Sequence, residues 1–404
     1  MLNIETGKNR IPLPTLIAVW SISAVISLPG LAISPILGHL DRIFPHVSDS
    51  DLQMMTSLPS ILIIPFILLS GHWGSRENKL ILLAIGLTIF ILSGASYFYI
   101  QSMNELLYVS LLLGVGAGLI IPQSTGLIND LFSGPYRIHQ FGISSFITNL
   151  TLVVATALTG WVAEYDWHYP FIVYLFPVLP LSLLYFLSNQ YLKRKQGEIK
   201  GEQPNVSETG SPLHNKRALH NGLFTIMVVY FFATAIVLVI PYNLPFLLQN
   251  DHFKSDISGA LISTFFTAMM LPGLMINRLI KWLSKQLITI CFFGIAIGLI
   301  FLTLSRHWLF LAAGVAVTGF CYGTIQPFLY EKTVATSANK RATFSLALMM
   351  SMNYTAIVLA PWVFNKIPLL MSSSNGIPLS FWIASIMALT MSTLSLGLNK
   401  RIAF

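Results

Sequence analysis

Charge is scarce in this chain. Of 404 residues, 23 are Lys or Arg and 15 are Asp or Glu, so 9% are charged, against roughly 25% in an ordinary soluble domain. So few charges cannot cover the surface of a soluble protein of this length. Disorder is excluded as well, because it needs low hydrophobicity and high charge, and 54% of the residues are apolar. The net charge of +8 and a pI near 9.4 would suit nucleic acid only if they built a basic face, and there is too little charge for one. Cysteine is scarcer still. Cys291 and Cys321 both lie in apolar runs, which argues against a disulfide framework. No Gly-x-x-x-x-Gly-Lys-Ser/Thr loop occurs, so ATP-driven pumping has no support. The apolar run that opens the chain is too long for a cleaved signal, and no small-residue cleavage site follows it. An integral membrane protein remains, in line with a mean hydropathy of +0.72.

Spans show as runs without charge, because a charge at the bilayer centre costs about 2.5–3.5 kcal/mol on insertion scales. Runs free of Asp, Glu, Lys and Arg cover 11–40, 52–75, 80–104, 106–129, 138–163, 167–192, 218–250, 257–277, 286–305, 307–330, 342–365 and 367–399. All twelve are long enough to cross as helices, and none shows the alternation of a barrel strand. With the N-terminus inside, the inner segments hold 19 Lys and Arg, and the outer ones hold only Arg42, Lys254, Arg306 and Lys366. The positive-inside rule therefore places both termini in the cytoplasm. The expected division is a six-helix bundle over 1–192, a flexible cytoplasmic linker over 193–220 and a second six-helix bundle over 221–404.

The two halves resemble each other. Ser50-Asp51 recurs as Ser255-Asp256, and Gly114, Gly118 and Pro122 recur as Gly319, Gly323 and Pro327, all at an offset of 205. Asn149-x-Thr151 matches Asn353-x-Thr355 at 204. An even number of spans per half gives a parallel pseudo-repeat. The glycines are expected as close-packing positions, Pro122 and Pro327 as breaks or bends, and the Ser-Asp pairs as helix N-caps.

Three segments carry a family resemblance. After the second run, Gly71-His72-Trp73-Gly74-Ser75-Arg76-Glu77-Asn78-Lys79 resembles a Gly-x-x-x-Asp-Arg-x-Gly-Arg/Lys loop, with Ser75 and Asn78 departing from it. Gly114-x-Gly116-x-Gly118 resembles a second signature in which an Arg stands where this chain has Ser110. Trp167-His168-Tyr169-Pro170-Phe171 resembles a Trp-Arg-x-x-Phe segment. Together with twelve spans in two halves, these resemble the major facilitator superfamily, and most of all its bacterial drug:proton antiporters. The antiporter signature of span five is absent: 149–160 holds no Pro and no internal Gly.

The resemblance implies an all-α fold of twelve transmembrane helices in two bundles, with a substrate cavity at the midplane lined by spans one, four, seven and ten. The polar residues at that depth are Ser23, Ser27, Gln123, Thr234, Tyr322 and Gln326, with Asn149 and Asn353 in spans five and eleven. Amides are the stronger candidates, because they are costly to leave in lipid. Phe265, Phe266, Met269 and Met270 are candidates for an adaptable apolar wall. A cavity of amides without fixed charge suits a lipophilic, neutral or zwitterionic compound. Gly71, Arg76, Lys79 and Asp130 are the gating and coupling candidates, with Asp130 expected to pair with Arg76.

The function implied is secondary export of small organic molecules across the cytoplasmic membrane by a monomer, with protons as the coupling ion. No cofactor, metal or catalytic residue is expected. No run holds an intramembrane carboxylate, and all nine His lie near span ends or in loops. That scarcity keeps open an uncoupled facilitator or a metabolite importer on the same fold. A non-transporting receptor is more remote, because the linker and the tail are too short for a signalling segment.

Overall fold

The structure is a computed structural model that describes residues 3–29, 49–74, 79–163, 165–199, 216–250, 255–283, 286–304, 307–337, 341–366 and 376–398. In lipid every backbone amide needs an internal partner, and the charge-free runs accordingly fold as helices. The first half contains α1 (Leu13–Val25), α2 (Asp49–Gly74), α3 (Lys79–Ser96), α4 (Met103–Leu131), α5 (Gly134–Val162) and α6 (Val178–Ile199). The second half contains α7 (Lys216–Val237), α8 (Val239–Asn250), α9 (Ser255–Leu283), α10 (Leu287–Leu304), α11 (Trp308–Thr336), α12 (Ala342–Pro361) and α13 (Gly376–Leu398). Ten described helical segments are long and apolar enough to cross a membrane, and Leu13–Val25 and Leu58–Gly74 are shorter apolar helices. Each of the twelve runs thus carries a helix.

Run seven is divided between α7 and α8, and proline chemistry explains the division. Pro241 has no N–H to give to the carbonyl four residues earlier, which belongs to Val237, the last residue of α7. Leu238 N–H to Thr234 O (3.2 Å) and Tyr242 N–H to Leu238 O (3.2 Å) bridge the join. Pro122 and Pro327, expected to break or bend their helices, break neither: α4 and α11 run through them. Packing on neighbouring helices sustains a span through such a site. The non-helical geometry falls instead at Met275, three residues beyond Pro272 in α9. The first Ser-Asp pair is also displaced from its expected cap, because α2 already begins at Asp49. The expected linker is helical at both ends, with α6 reaching Ile199 and α7 starting at Lys216.

The repeated glycines do the same work in both halves. In α4, Gly114 lies on the Pro59 backbone, and Gly118 on Ile63 and Phe66 of α2. In α11, Gly319 lies on the Phe265 backbone and Gly323 on that of Met269 in α9. Phe265 and Met269 are therefore buried packing residues of α9 against α11. Gly118→Val places atoms where Phe66 Cβ stands 2.6 Å from the missing Cβ. Overpacking of this kind costs about 1–3 kcal/mol. The purified variant should melt several degrees below the wild type in a detergent unfolding assay. Gly259→Ala, with open space around it, should melt like the wild type.

A β-hairpin of β1 (Asn3–Glu5) and β2 (Arg10–Pro12) precedes α1, with Ile4 opposite Ile11. Gly7 turns it at φ +78°, and Ser133 N–H donates to Thr6 O at 3.0 Å. Lys8 Nζ donates to the carbonyls of Asn129 (2.9 Å) and Asp130 (3.0 Å). A cation there complements the negative end of the α4 dipole.

Candidate functional site

Two uncharged polar clusters lie within the helices, one in each half. In the first, Ser23 of α1 is fully buried. Its hydroxyl donates to Val19 O (3.2 Å), lies 3.3 Å from Ser124 Oγ of α4 and accepts from Ser144 Oγ of α5 at 2.8 Å. Thr148 donates to the Ser23 carbonyl at 2.9 Å. One turn away, Trp20 Nε1 donates to Gln140 Oε1 at 3.0 Å. Serine hydroxyls that satisfy one another between helices need no water.

In the second cluster, Thr234 of α7, Tyr322 of α11 and Asn353 of α12 meet. Asn353 Oδ1 accepts from Thr234 Oγ1 (2.9 Å) and from the Tyr322 hydroxyl (3.3 Å), and the two hydroxyls lie 3.0 Å apart. Toward the basic-loop end, Gln326 Nε2 donates to the Tyr330 hydroxyl at 2.9 Å, and that hydroxyl lies 3.4 Å from the one on Tyr230. Tyr322, Gln326 and Tyr330 share one face of α11 through their four-residue spacing. Phe141, Ser145 and Asn149 share a face of α5 in the same way. These two faces join the halves. Ser145 Oγ donates to Gln326 Oε1 at 3.3 Å, and the Phe141 ring meets Tyr330 edge-on at 5.7 Å. Asn149 Nδ2 turns back to the Ser145 carbonyl (2.8 Å).

Most of the residues singled out from sequence converge here: Ser23 in one cluster, Thr234, Tyr322, Gln326 and Asn353 in the other, and Asn149 between them. Two do not. Gln123 is buried against α2, with Nε2 donating to the Ser70 carbonyl and hydroxyl (2.8 Å each). It ties α4 to α2, because an amide on the glycine-bearing face of α4 meets its packing partner before any cavity. Ser27 has only a long bond to Ala24 O (3.5 Å). Ser110, in the place of the family's Arg, pairs with Tyr97 at 2.7 Å. Sequence reasoning missed Gln140, Phe141, Ser144, Ser145, Tyr230 and Tyr330. The four-residue spacing of polar and aromatic residues in runs five and ten was the available signal.

The halves are closed together at the end carrying the basic loops. Gly71 of α2 lies against Ala347 and Phe344 of α12, and Gly126 of α4 against Thr343. Gly142 of α5 and Gly273 of α9 meet backbone to backbone. The expected pairing of Asp130 with Arg76 falls outside the described residues. Asp130 pairs with Lys79 Nζ at 2.6 Å, within the first half. Among the described residues, the ion pair that crosses between the halves is Arg137 of α5 with Glu331 of α11 (Nε–Oε2 2.8 Å, Nη2–Oε1 2.5 Å). Arg137 also reaches Asn129 Oδ1 at 3.3 Å. Among the described residues, no group of three His, Cys, Asp or Glu is placed to hold a metal ion. A groove of about 510 Å³ between α7 and α13, lined by Val228, Phe232, Met387 and Met391 among others, shares no residue with the clusters.

Comparison with known proteins follows the same lines. A family model described as Major Facilitator Superfamily matches residues 15–361. The chain is 24% identical over 362 residues to the multidrug transporter protein MdtP of Bacillus subtilis, covering 88% of this chain and 58% of MdtP. It is 27% identical over 128 residues to the quinolone resistance protein NorA of Staphylococcus aureus, covering 31% of this chain and 32% of NorA. The chain thus spans less than two thirds of these relatives. Among solved structures, the proton:xylose symporter XylE bound to 6-bromo-6-deoxy-D-glucose superposes with a TM-score of 0.73 at 17% identity, covering 94% of each chain. The human organic anion transporter MFSD10 superposes with a TM-score of 0.69 at 18% identity, covering 95% of this chain and 97% of that one.

Proposed function

The chain belongs to the Major Facilitator Superfamily, and from that premise we propose that it exports small lipophilic, neutral or zwitterionic compounds across the cytoplasmic membrane by alternating access, driven by the proton gradient. It is a multi-pass membrane transporter. Export, the coupling ion and a monomeric state are our reading, as are cytoplasmic termini and a rocking motion of two halves divided at the 193–220 linker.

One observation carries the reading. The Thr234–Tyr322–Asn353 cluster stands one turn of α11 from Gln326, the Ser23–Ser144 cluster stands one residue of α5 from Ser145, and Ser145 meets Gln326 across the halves. Every side chain named in them is uncharged. Hydroxyls and amides at the edge of aromatic rings can hydrogen-bond and stack on a neutral or zwitterionic guest, but offer no countercharge to a multiply charged one. MdtP and NorA, by their names a multidrug transporter and a quinolone resistance protein, support export of drug-like molecules. The absence of an acid from these clusters favours a second reading, an uncoupled facilitator.

Proteoliposomes loaded with the zwitterionic dye rhodamine B separate the two readings. An imposed pH gradient should accelerate dye flux at least tenfold over the gradient-free rate. Flux indifferent to the gradient overturns coupling and leaves the facilitator. Expression in a susceptible strain should reduce its sensitivity to lipophilic neutral compounds at least fourfold, and unchanged sensitivity overturns drug export.

A further inference from the structure

We propose that Cys291 of α10 and Cys321 of α11 form a dithiol site, reached from the lipid, that binds one trivalent organoarsenical. They are the two cysteines of the chain, and both are free. Their thiols lie within hydrogen-bond reach of each other. The register of the two helices explains the meeting. Gly298 lies on Gly314 and Thr318, and Gly294 on Val317 and Cys321, so each turn of α10 toward its start faces the next turn of α11. Cys291, one turn before Gly294, therefore faces the stretch that holds Cys321. Gly294 makes the room: a Cβ there would stand 2.5 Å from the Cys321 sulfur. The first half has no such pair. At the offset of 205, Cys321 takes the place of Gly116 in α4, which meets Gly86 of α3 backbone to backbone. The thiols thus stand where the repeat needs only glycine for close packing.

Two sulfurs suit a soft centre, and no group of three His, Cys, Asp or Glu is gathered among the described residues to add a third donor. Charge narrows the choice. α10 carries no charged residue, and α11 none before Glu331. A copper(I) or silver(I) ion held by two thiolates would leave a net negative charge there without a counterion. A trivalent organoarsenical, R–As(OH)2, gives a neutral product instead. Two As–S bonds form and two As–O bonds break, and each departing hydroxide takes a thiol proton and leaves as water. Arsenic stays trivalent, and nothing is oxidised or reduced. Because the protons leave with the hydroxides, no charged sulfur has to exist in apolar surroundings.

Access and shape favour the same class. Cys291 is buried and Cys321 is half-buried. Ile290, Phe293 and Val317 beside them are exposed on the outer surface of these spans, where they meet lipid and can seat the organic group on arsenic. The first As–S bond presents the second thiol at a high effective concentration, so the pair holds a ligand that a single thiol releases. The bridge joins α10 to α11 beside Tyr322, the neighbour of Cys321 and a partner of Thr234 and Asn353. Occupancy therefore stiffens the second half without tying it to the first.

The probe is phenylarsine oxide, which hydrates to the dihydroxide, added at one equivalent to the reduced full chain in lipid nanodiscs. The intact mass should gain one phenylarsenic group and lose two hydrogens. The adduct should survive excess 2-mercaptoethanol and leave with 2,3-dimercaptopropanol. The unfolding temperature should rise by several degrees on binding. Cys291→Ser and Cys321→Ser should each lose the adduct to 2-mercaptoethanol roughly a hundredfold faster, with no rise in unfolding temperature. Where a serine variant does not fold, the wild type decides alone. Unfolded in dodecyl sulfate with N-ethylmaleimide, the untreated chain should be alkylated at both cysteines and the arsenical-treated chain at neither. A wild type that gains no arsenic, an adduct that 2-mercaptoethanol strips, a serine variant that keeps it, or a treated chain that N-ethylmaleimide still alkylates overturns the site.

Discussion

Gly142→Val should prevent the basic-loop end from closing and reduce transport roughly a hundredfold. The space a Cβ at Gly142 would need is filled by the Gly273 carbonyl and by Ile276, and the space at Gly273 by the Gly142 backbone. The nearest obstacle, the Gly273 carbonyl, is main chain, which cannot rotate away as the Ile276 side chain can, so α5 and α9 must separate. A closed state disfavoured by about 3 kcal/mol is depopulated roughly a hundredfold. Each half keeps its own core, since the contacts of α4 with α2 and of α11 with α9 lie elsewhere, so the variant should insert and purify normally. Spin labels at the exposed positions Trp73→Cys and Trp282→Cys should report a longer distance than in the wild type, and rhodamine B flux should fall accordingly. Gly142→Ala should lie between the variant and the wild type. A Gly142→Val protein with the wild-type distance would show that the two helices can repack around a side chain, and the close approach would lose its role.

Depth in the membrane was legible from composition, and azimuth was not. Counting charge-free runs found the helices, because the cost of burying charge in lipid acts on each span independently. It could not show that Pro241 ends α7 at Val237, because that follows from one missing N–H. The offset of 205 paired Gly114 and Gly118 with Gly319 and Gly323, and these glycines have equivalent partners in α2 and α9. The polar residues were harder. Gln123 and Gln326 stand in matching helices near matching prolines, yet one ties α4 to Ser70 and the other crosses to Ser145. Which neighbour an amide meets depends on how helices pack, and no single span encodes that. The ion pair between the halves shows the same limit. Asp130 was singled out and Arg137 was not, because a carboxylate beside a family signature attracts notice, whereas a pair 194 residues apart needs the second half in place. The signal that went unused was the four-residue spacing in runs five and ten, which puts Phe141, Ser145 and Asn149 on one face and Tyr322, Gln326 and Tyr330 on another.

Asn353→Asp should change what the protein carries. The substitution is isosteric, and the new carboxylate would inherit both hydroxyl donors of the amide oxygen, Thr234 at 2.9 Å and Tyr322 at 3.3 Å. The site would then hold a fixed negative charge among groups that are otherwise uncharged. A monovalent cation about 4 Å away would gain up to about 4 kcal/mol at an effective dielectric constant near 20. Desolvating the carboxylate takes back much of this, which leaves a net preference of roughly tenfold or more. Flux of ethidium, a lipophilic cation, should rise at least tenfold relative to that of rhodamine B, and the ratio should collapse as the pH falls and the new carboxylate takes up a proton. Asn353→Leu, which removes the acceptor and adds no charge, should weaken rhodamine B binding without creating cation preference, since Thr234 and Tyr322 can still bond each other across 3.0 Å. An Asn353→Asp protein with the wild-type ratio of ethidium to rhodamine B flux would place the Thr234–Tyr322–Asn353 cluster outside the substrate path, as helix packing alone.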